Sequence, residues 1–285
     1  MTDSSPNLSD SSSMSPSPSY IQPNWRPNPP KPPPTLDPTN YPTGKKSLSG
    51  ISLRAFLLGT TLGLSTSLTI TLLLLTTPTP LWRLPFFLAS LSLFHFLEYY
   101  VTAAYNTRYA SVSAFLLSSN GWAYNVAHTS AALECLISHW FWPATTNNNN
   151  HSDYLTSTSG LKLPVVIGVV LMVIGQTVRT LAMVQAGSNF NHTVQVERKE
   201  DHVLVTSGVY ALLRHPSYFG FFWWGLGTQL VLGNVVCLAG YAVVLWKFFH
   251  SRIIREERFL VAFFGDDYRD YKKKAWIGIP GIKTQ

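Results

Sequence analysis

The chain has 285 residues, of which 46% are hydrophobic and only 12% are charged, with a net charge of +7. A soluble domain carries about 25% charged residues, so this composition favours a membrane protein over a soluble one. The two cysteines, Cys135 and Cys237, are far apart and lie within apolar stretches. This arrangement excludes a disulfide scaffold and a cysteine-based metal site.

The first fifty residues are polar and rich in Ser, Pro and Asn, with "NPPKPPPTLDP" at their centre. A segment of this composition cannot bury enough apolar surface to offset the entropy of the chain. We therefore expect residues 1–50 to form a disordered tail.

Four apolar runs follow, over residues 55–75, 84–105, 121–142 and 163–186. Each has about the 20 residues that a helix needs to cross a bilayer core. Residues 51–186 are therefore predicted to form four transmembrane helices.

The next apolar run, residues 217–249, would be about 50 Å long as a single helix, which is too long for one span. We predict a tight helical hairpin that turns near Gly233 and Asn234. A separate amphipathic, charged helix is expected after it. The sequence thus predicts an all-α integral membrane protein with about six transmembrane helices and a cytosolic cofactor-binding region within residues 187–285.

The distribution of basic residues predicts the orientation of the spans. The loops 76–83 and 143–162 contain one basic residue each, whereas the opposite side and the C-terminal region contain most of the others. The positive-inside rule then predicts that both termini are cytosolic. The sequon at Asn150 would face the lumen, where glycosylation is possible.

Four ionisable side chains fall within the predicted spans: His95, Glu98, Glu134 and Arg179. Such residues are functional candidates because a charge in lipid is costly. The alternative is that they are polar ties between helices, or that Arg179 extends its side chain to the cytosolic surface.

A polar and aromatic cluster of 27 positions, from His192 to Tyr218, precedes the hairpin. The spacing of its histidines matches no zinc signature. Pro216 is typical of the first turn of a helix, so free backbone N–H groups could hold a polar or anionic ligand there. The alternative is an ordinary helix start with an interfacial belt of Arg and Tyr.

Arg252 and Glu256 are four residues apart and share a helical face. They could form a surface ion pair of small worth. At the membrane surface, Arg252 could instead hold a carboxylate and Glu256 an ammonium group.

Four segments together resemble the protein-S-isoprenylcysteine O-methyltransferases, from about residue 84 to 282. They are "LFHFLEYYVTAAYN", "AMVQAGSNFNHTVQ", "HVLVTSGVYALLRHPSYFGFFWWGLGTQL" and "RIIREERFLVAFFGDDYRDYKKK". These enzymes of the endoplasmic reticulum membrane use S-adenosylmethionine to methylate the C-terminal prenylcysteine of processed CaaX proteins. The expected six spans suit the fungal form of the family.

The resemblance implies S-adenosylmethionine as cofactor and prenylated CaaX proteins as substrates, and it assigns site residues. The arginine for the substrate carboxylate is Arg252. The cofactor contacts are Gln195, His202, Val203, Leu204, Val205, Tyr210, His215, Pro216, Ser217, Tyr218 and Glu256. Two alternatives remain open: a membrane sterol reductase that uses NADPH, since that class also has an Arg-His-x-x-Tyr pattern, and a non-enzymatic channel or scaffold.

Overall fold

The computed structural model describes Met1 and residues 37–75, 80–141, 163–198 and 200–283. Most of the tail predicted over residues 1–50, and the loop that contains Asn150, lie outside these residues. Within them the chain forms seven α-helices: α1 (Leu48–Leu75), α2 (Arg83–Tyr105), α3 (Trp122–Phe141), α4 (Leu163–Ala186), α5 (Pro216–Leu232), α6 (Val236–Phe264) and α7 (Asp266–Lys274).

Four helical segments of the described chain are long and apolar enough to cross a membrane: Leu48–Leu74, Pro80–Tyr105, Leu163–Asn189 and Val236–Phe264. Helices α3 and α5, which we expected to cross the membrane, are not among these four segments. Helix α5 has only 17 residues, and α3 carries His128, Glu134 and His139.

Helix α1 begins at Leu48, within the segment predicted as a tail. The Ser47 hydroxyl accepts a hydrogen bond from the Gly50 N–H at 3.0 Å. This side-chain cap satisfies one of the free donors at the start of a helix.

Helix α6 corrects a second prediction, since it does not end at residue 249. It runs without a break to Phe264, and the charged segment is its continuation. The sequence between Tyr241 and Phe264 contains neither glycine nor proline, so nothing interrupts the backbone hydrogen bonds. The helix ends at Gly265, whose φ of 57° suits a residue without a Cβ.

Helices α4 and α5 pack against each other at glycines. A Cβ on Gly168 would lie 2.7 Å from the Gly227 carbonyl oxygen, and one on Gly175 would lie 2.5 Å from that of Gly220. The order of these pairs shows that the two helices are antiparallel. Small residues allow such close approach of helix backbones.

A carboxylate of α3 connects this helix to the start of α6. The Glu134 carboxylate accepts hydrogen bonds from the N–H groups of Val235 and Val236 at 2.8 Å and of Cys237 at 2.7 Å. It therefore caps the start of α6. The polar-tie interpretation of Glu134 agrees with this geometry.

The C-terminal segment after α7 packs back onto α5 and α6. Ile277, Ile279 and Ile282 are buried against Phe222 and Ile253. The backbone of this segment also pairs with the chain before α5, from Trp276 N to Leu212 O at 2.8 Å and from Arg214 N to Trp276 O at 2.7 Å. Together these contacts enclose the region in which the predicted site residues lie.

Candidate active site

A cavity of about 700 Å³, measured with its open mouth, lies where the end of α4, the segment 187–215 and the starts of α5 and α7 meet the second half of α6. Ten of the eleven predicted cofactor contacts line it: His202, Val203, Leu204, Val205, Tyr210, His215, Pro216, Ser217, Tyr218 and Glu256. Gln195 does not. It lines a neighbouring, smaller cavity of about 280 Å³, and His202 borders both.

The start of α5 forms one wall of the cavity. The helix begins with Pro216 at its first position, as predicted, and His215 precedes it. The His215 carbonyl accepts hydrogen bonds from the N–H groups of Tyr218 and Phe219, both at 3.0 Å. The His215 ring stacks on the Tyr218 ring with centroids 5.4 Å apart and planes 3° apart.

Arg252 lines neither cavity but contacts the wall through Tyr218. Its Nε donates to the Tyr218 hydroxyl oxygen at 2.8 Å, and that hydroxyl donates to Glu256 Oε2 at 2.5 Å. A second guanidinium nitrogen donates to the His192 carbonyl. Arg252 and Glu256 form no direct ion pair in the described chain, so the surface ion pair left open by the spacing is replaced by a bridge through Tyr218.

Glu257, on the buried side of α6, is surrounded by basic side chains behind the wall. Its Oε1 lies 2.9 Å from Arg214 Nε and 3.2 Å from His215 Nε2, and its Oε2 lies 3.2 Å from Lys272 Nζ. Arg214 Nη1 also donates to the Ala275 carbonyl at 2.6 Å. Arg214 thereby joins α6 to the C-terminal segment and supports the cavity.

The segment after α4 is held at the cavity by a hydrogen bond within the segment and by contacts with the end of α6. The Val203 N–H donates to Asn189 Oδ1 at 2.8 Å. Arg198 donates to the Phe263 carbonyl at 2.6 Å and lies over the Phe264 ring at 4.9 Å. These contacts place residues 202–205 against α6.

Two titratable groups of this segment are shifted by their surroundings. Burial raises the pKa of Tyr210, and the Glu256 carboxylate raises it further, so the hydroxyl stays protonated and donates to the Ala182 carbonyl at 3.2 Å. Burial lowers the pKa of His192 to about 4, with Arg179 and Arg252 adding to the effect and Glu98 opposing it. His192 is therefore neutral at physiological pH.

Glu98 of α2 and Arg179 of α4 meet behind Ser217, which lines the cavity. Arg179 pairs with both oxygens of Glu98, one of them at 2.8 Å, and donates to the Ser217 hydroxyl at 2.8 Å. Arg179 is buried and does not extend to the surface. His95 is a tie between elements, since its ring nitrogens bond the Phe115 carbonyl at 2.8 Å and the Tyr124 hydroxyl at 3.0 Å.

Sequence reasoning missed several residues that line the cavity: Asn189, Leu260, Phe264, Tyr268 and Tyr271. Leu260 and Phe264 continue the helical face of Glu256, which is a signal that the 3.6-residue period could have provided. The two tyrosines come from "GDDYRDYKKK", a segment without apolar periodicity. The Tyr271 hydroxyl donates to the Tyr210 carbonyl at 2.6 Å.

Comparison with known proteins places this architecture in a family. The sequence profile of the isoprenylcysteine carboxyl methyltransferase (ICMT) family matches residues 167–262. The protein-S-isoprenylcysteine O-methyltransferase of Saccharomyces cerevisiae is 47% identical over 196 residues, which cover 69% of this chain and 79% of that protein. The enzyme of the same name from Xenopus laevis is 41% identical over 239 residues, covering 84% and 76%.

A solved structure, described as the eukaryotic intramembrane Ras methyltransferase ICMT, is also similar. It superposes with a TM-score of 0.71 at 36% identity and covers 82% of this chain and 77% of its own. The all-α fold, the membrane-length helices and these relatives agree. This chain is an integral membrane protein that belongs to the isoprenylcysteine carboxyl methyltransferase family.

Proposed function

We propose that this protein transfers a methyl group from S-adenosylmethionine to the C-terminal carboxylate of a prenylated cysteine in processed CaaX proteins, giving a methyl ester. The observation that carries the proposal is the bridge from Arg252 through Tyr218 to Glu256 at the wall of the cavity. It brings a cation suited to a carboxylate next to an anion suited to an ammonium group.

The cavity suits the chemistry of S-adenosylmethionine, because apolar and aromatic side chains surround a few polar groups that could fix its orientation. Glu256, whose side chain is 27% exposed, would hold the ammonium group. Apolar side chains such as Val205, Leu260 and Phe264 would contact the adenosine portion.

The chemistry needs orientation more than acid or base assistance. The cofactor supplies a methyl group already activated on a sulfonium. The acceptor carboxylate is ionised at neutral pH, so no general base is required. Holding the reactants in line can contribute about 7–11 kcal/mol. Arg252, fixed by Tyr218 and by the His192 carbonyl, would orient the acceptor.

We also propose six spans, both termini in the cytosol and residence in the endoplasmic reticulum membrane. Helix α5, although only 17 residues long, is supported as a span by its close packing along α4. Helix α3 is supported by its carboxylate cap on α6. The prenyl chain would reach the site from the bilayer, and the cofactor would arrive from the cytosol.

The direct test is methyl transfer from labelled S-adenosylmethionine to a short prenylcysteine analogue, with the non-prenylated thiol as control. We expect a methyl ester only with the prenylated acceptor. Binding of S-adenosylhomocysteine and of NADPH is measured on the same preparation. Tight NADPH binding without S-adenosylhomocysteine binding would contradict the proposal and favour a reductase.

A further inference from the structure

Ser217, at the second position of α5, has its hydroxyl between the cavity and a buried arginine. The residue is only 6% exposed and lines the cavity. Arg179 Nη1 donates to the Ser217 hydroxyl oxygen at 2.8 Å and to its carbonyl oxygen at 3.2 Å. One guanidinium nitrogen therefore holds both oxygens of this residue.

Arg179 is itself held in a single orientation. Glu98 accepts hydrogen bonds from Nε and, at 2.8 Å, from Nη2, while the rings of Phe94 and Phe221 lie 5.3 and 5.5 Å from the guanidinium carbon. The side chains of Arg179 and Glu98 are 8% and 1% exposed. A buried pair of this kind keeps its geometry because either charge alone would be costly.

The direction of the Arg179–Ser217 bond decides what the hydroxyl can do next. A guanidinium only donates hydrogen bonds, so the Ser217 oxygen is the acceptor and its own hydrogen is left to donate. In the described part of the chain the Ser217 hydroxyl donates no hydrogen bond, and its one side-chain partner is Arg179. The open side of the residue is the cavity.

We infer that the Glu98–Arg179 pair is a positioning unit that makes the Ser217 hydroxyl a hydrogen-bond donor into the cavity, toward the carboxylate of the bound cofactor. This inference rests on the proposed function. In S-adenosylmethionine the carboxylate and the ammonium group share one carbon atom. The neighbour of Ser217, Tyr218, bonds Glu256, the side chain suited to the ammonium. Glu98 and Arg179 touch neither ligand and act through Ser217.

The experiment measures binding of two probes by calorimetry on the purified full chain in lipid nanodiscs. S-adenosylhomocysteine carries the carboxylate, and 5′-methylthioadenosine lacks the amino-acid portion. We expect Ser217→Ala to weaken S-adenosylhomocysteine about tenfold, the loss of one hydrogen bond worth about 1.4 kcal/mol. Binding of 5′-methylthioadenosine should be unchanged, and Ser217→Thr should restore most of the affinity.

The positioning unit is tested by removing both charges together, in Glu98→Gln with Arg179→Gln, which leaves no unpaired buried charge. We expect this double variant to lose about tenfold in S-adenosylhomocysteine affinity. Adding Ser217→Ala to it should then cost less than twofold, because the hydroxyl is no longer directed. The KM for the prenylcysteine acceptor should stay near that of the unchanged protein.

The inference would be overturned if Ser217→Ala weakened S-adenosylhomocysteine binding as much in the double variant as in the unchanged protein. It would also be overturned if Ser217→Ala weakened both probes equally. Either result would leave the proposed function intact. Failure of the unchanged protein to bind S-adenosylhomocysteine would instead contradict the proposed function. If the double variant does not fold, Ser217→Ala still tests the contact of the hydroxyl with the cofactor, and equal weakening of the two probes overturns the inference.

Discussion

At the scale of single residues, the tyrosine at position 218 decides how two charges of α6 are used. Arg252 and Glu256 lie one turn apart, and a solvated helix would let them pair directly. The Tyr218 hydroxyl instead accepts from Arg252 and donates to Glu256. Each charge therefore keeps a side available for a ligand.

Arg252→Ala should raise the KM for a prenylcysteine acceptor about tenfold or more, because a charge-assisted contact with the carboxylate is lost. S-adenosylhomocysteine affinity should change less than twofold. Steady-state kinetics and calorimetry measure the two effects. Arg255→Ala, an exposed change on the same helix, is the matched control. An equal weakening of acceptor and cofactor binding would contradict the role of Arg252 in holding the acceptor carboxylate.

Glu256→Gln should weaken S-adenosylhomocysteine binding about tenfold, since hydrogen bonds to charged groups contribute about 1.5–3 kcal/mol. The variant keeps the size of the side chain and an acceptor for Tyr218. Titration calorimetry measures the change, and the exposed Asp267→Asn serves as control. An unchanged affinity would show that the ammonium is held elsewhere.

His192 should make stability depend on pH. Its pKa is about 4 in the folded protein against 6.5 for the free side chain, so the unfolded state binds the proton first. The contribution of neutral His192 to the free energy of unfolding is fully present above pH 6.5 and is lost as the pH falls toward 4. Between pH 7.5 and 5 the loss is about 1–2 kcal/mol. Thermal unfolding at both pH values should show a smaller decrease for His192→Gln than for the unchanged chain.

At the scale of elements, the packing of α4 against α5 positions the wall of the cavity. The two glycine pairs bring the helix backbones together, and Arg179 on α4 bonds Ser217 on α5 just beyond the contact. The position of this wall therefore depends on the distance between the two helices. The composition of either helix alone does not reveal this contact.

Gly175→Val should disrupt this crossing, because its Cβ would meet the Gly220 carbonyl at 2.5 Å. Overpacking of this kind costs about 1–3 kcal/mol. We expect a lower melting temperature and weaker S-adenosylhomocysteine binding. Gly59→Val in α1 is the control, since the described structure has nothing within 4 Å of a Cβ there. A similar decrease in melting temperature and in binding for both variants would mean that the change in helix propensity, and not the helix crossing, is responsible.

At the scale of the whole molecule, the C-terminal segment closes the fold around the site. The carbonyl of Ala275 accepts from Arg214, which also pairs with Glu257, and Ile277 to Ile282 cover α5 and α6. Residues more than sixty positions apart thus support the same cavity.

Truncation after Lys274 should abolish S-adenosylhomocysteine binding and lower the melting temperature. It removes the Ala275 carbonyl, one of the acceptors for Arg214, and exposes the apolar surface that the three isoleucines cover. Each buried isoleucine contributes about 1.5–3 kcal/mol. Truncation after Ile282, the last buried residue that the structure describes, is the control and should bind normally. Full S-adenosylhomocysteine binding after truncation at Lys274 would refute the role of the C-terminal segment.

The sequence by itself determined the features that depend on neighbouring residues along the chain. Apolar runs predicted the long helices, Pro216 predicted the start of α5, and contiguous motifs indicated the family, all without knowledge of which elements touch. Ten of the predicted cofactor contacts line one cavity because they lie in two short segments and on one helical face.

Only the tertiary structure decided which distant polar groups meet. The pairing of Glu98 with Arg179, the cluster around Glu257 and the place of Gln195 in a second cavity depend on which helices are neighbours. Hydrophobic burial is non-directional and can be read from composition. A buried charge, by contrast, must find one particular partner, and that partner is defined only when the chain has folded.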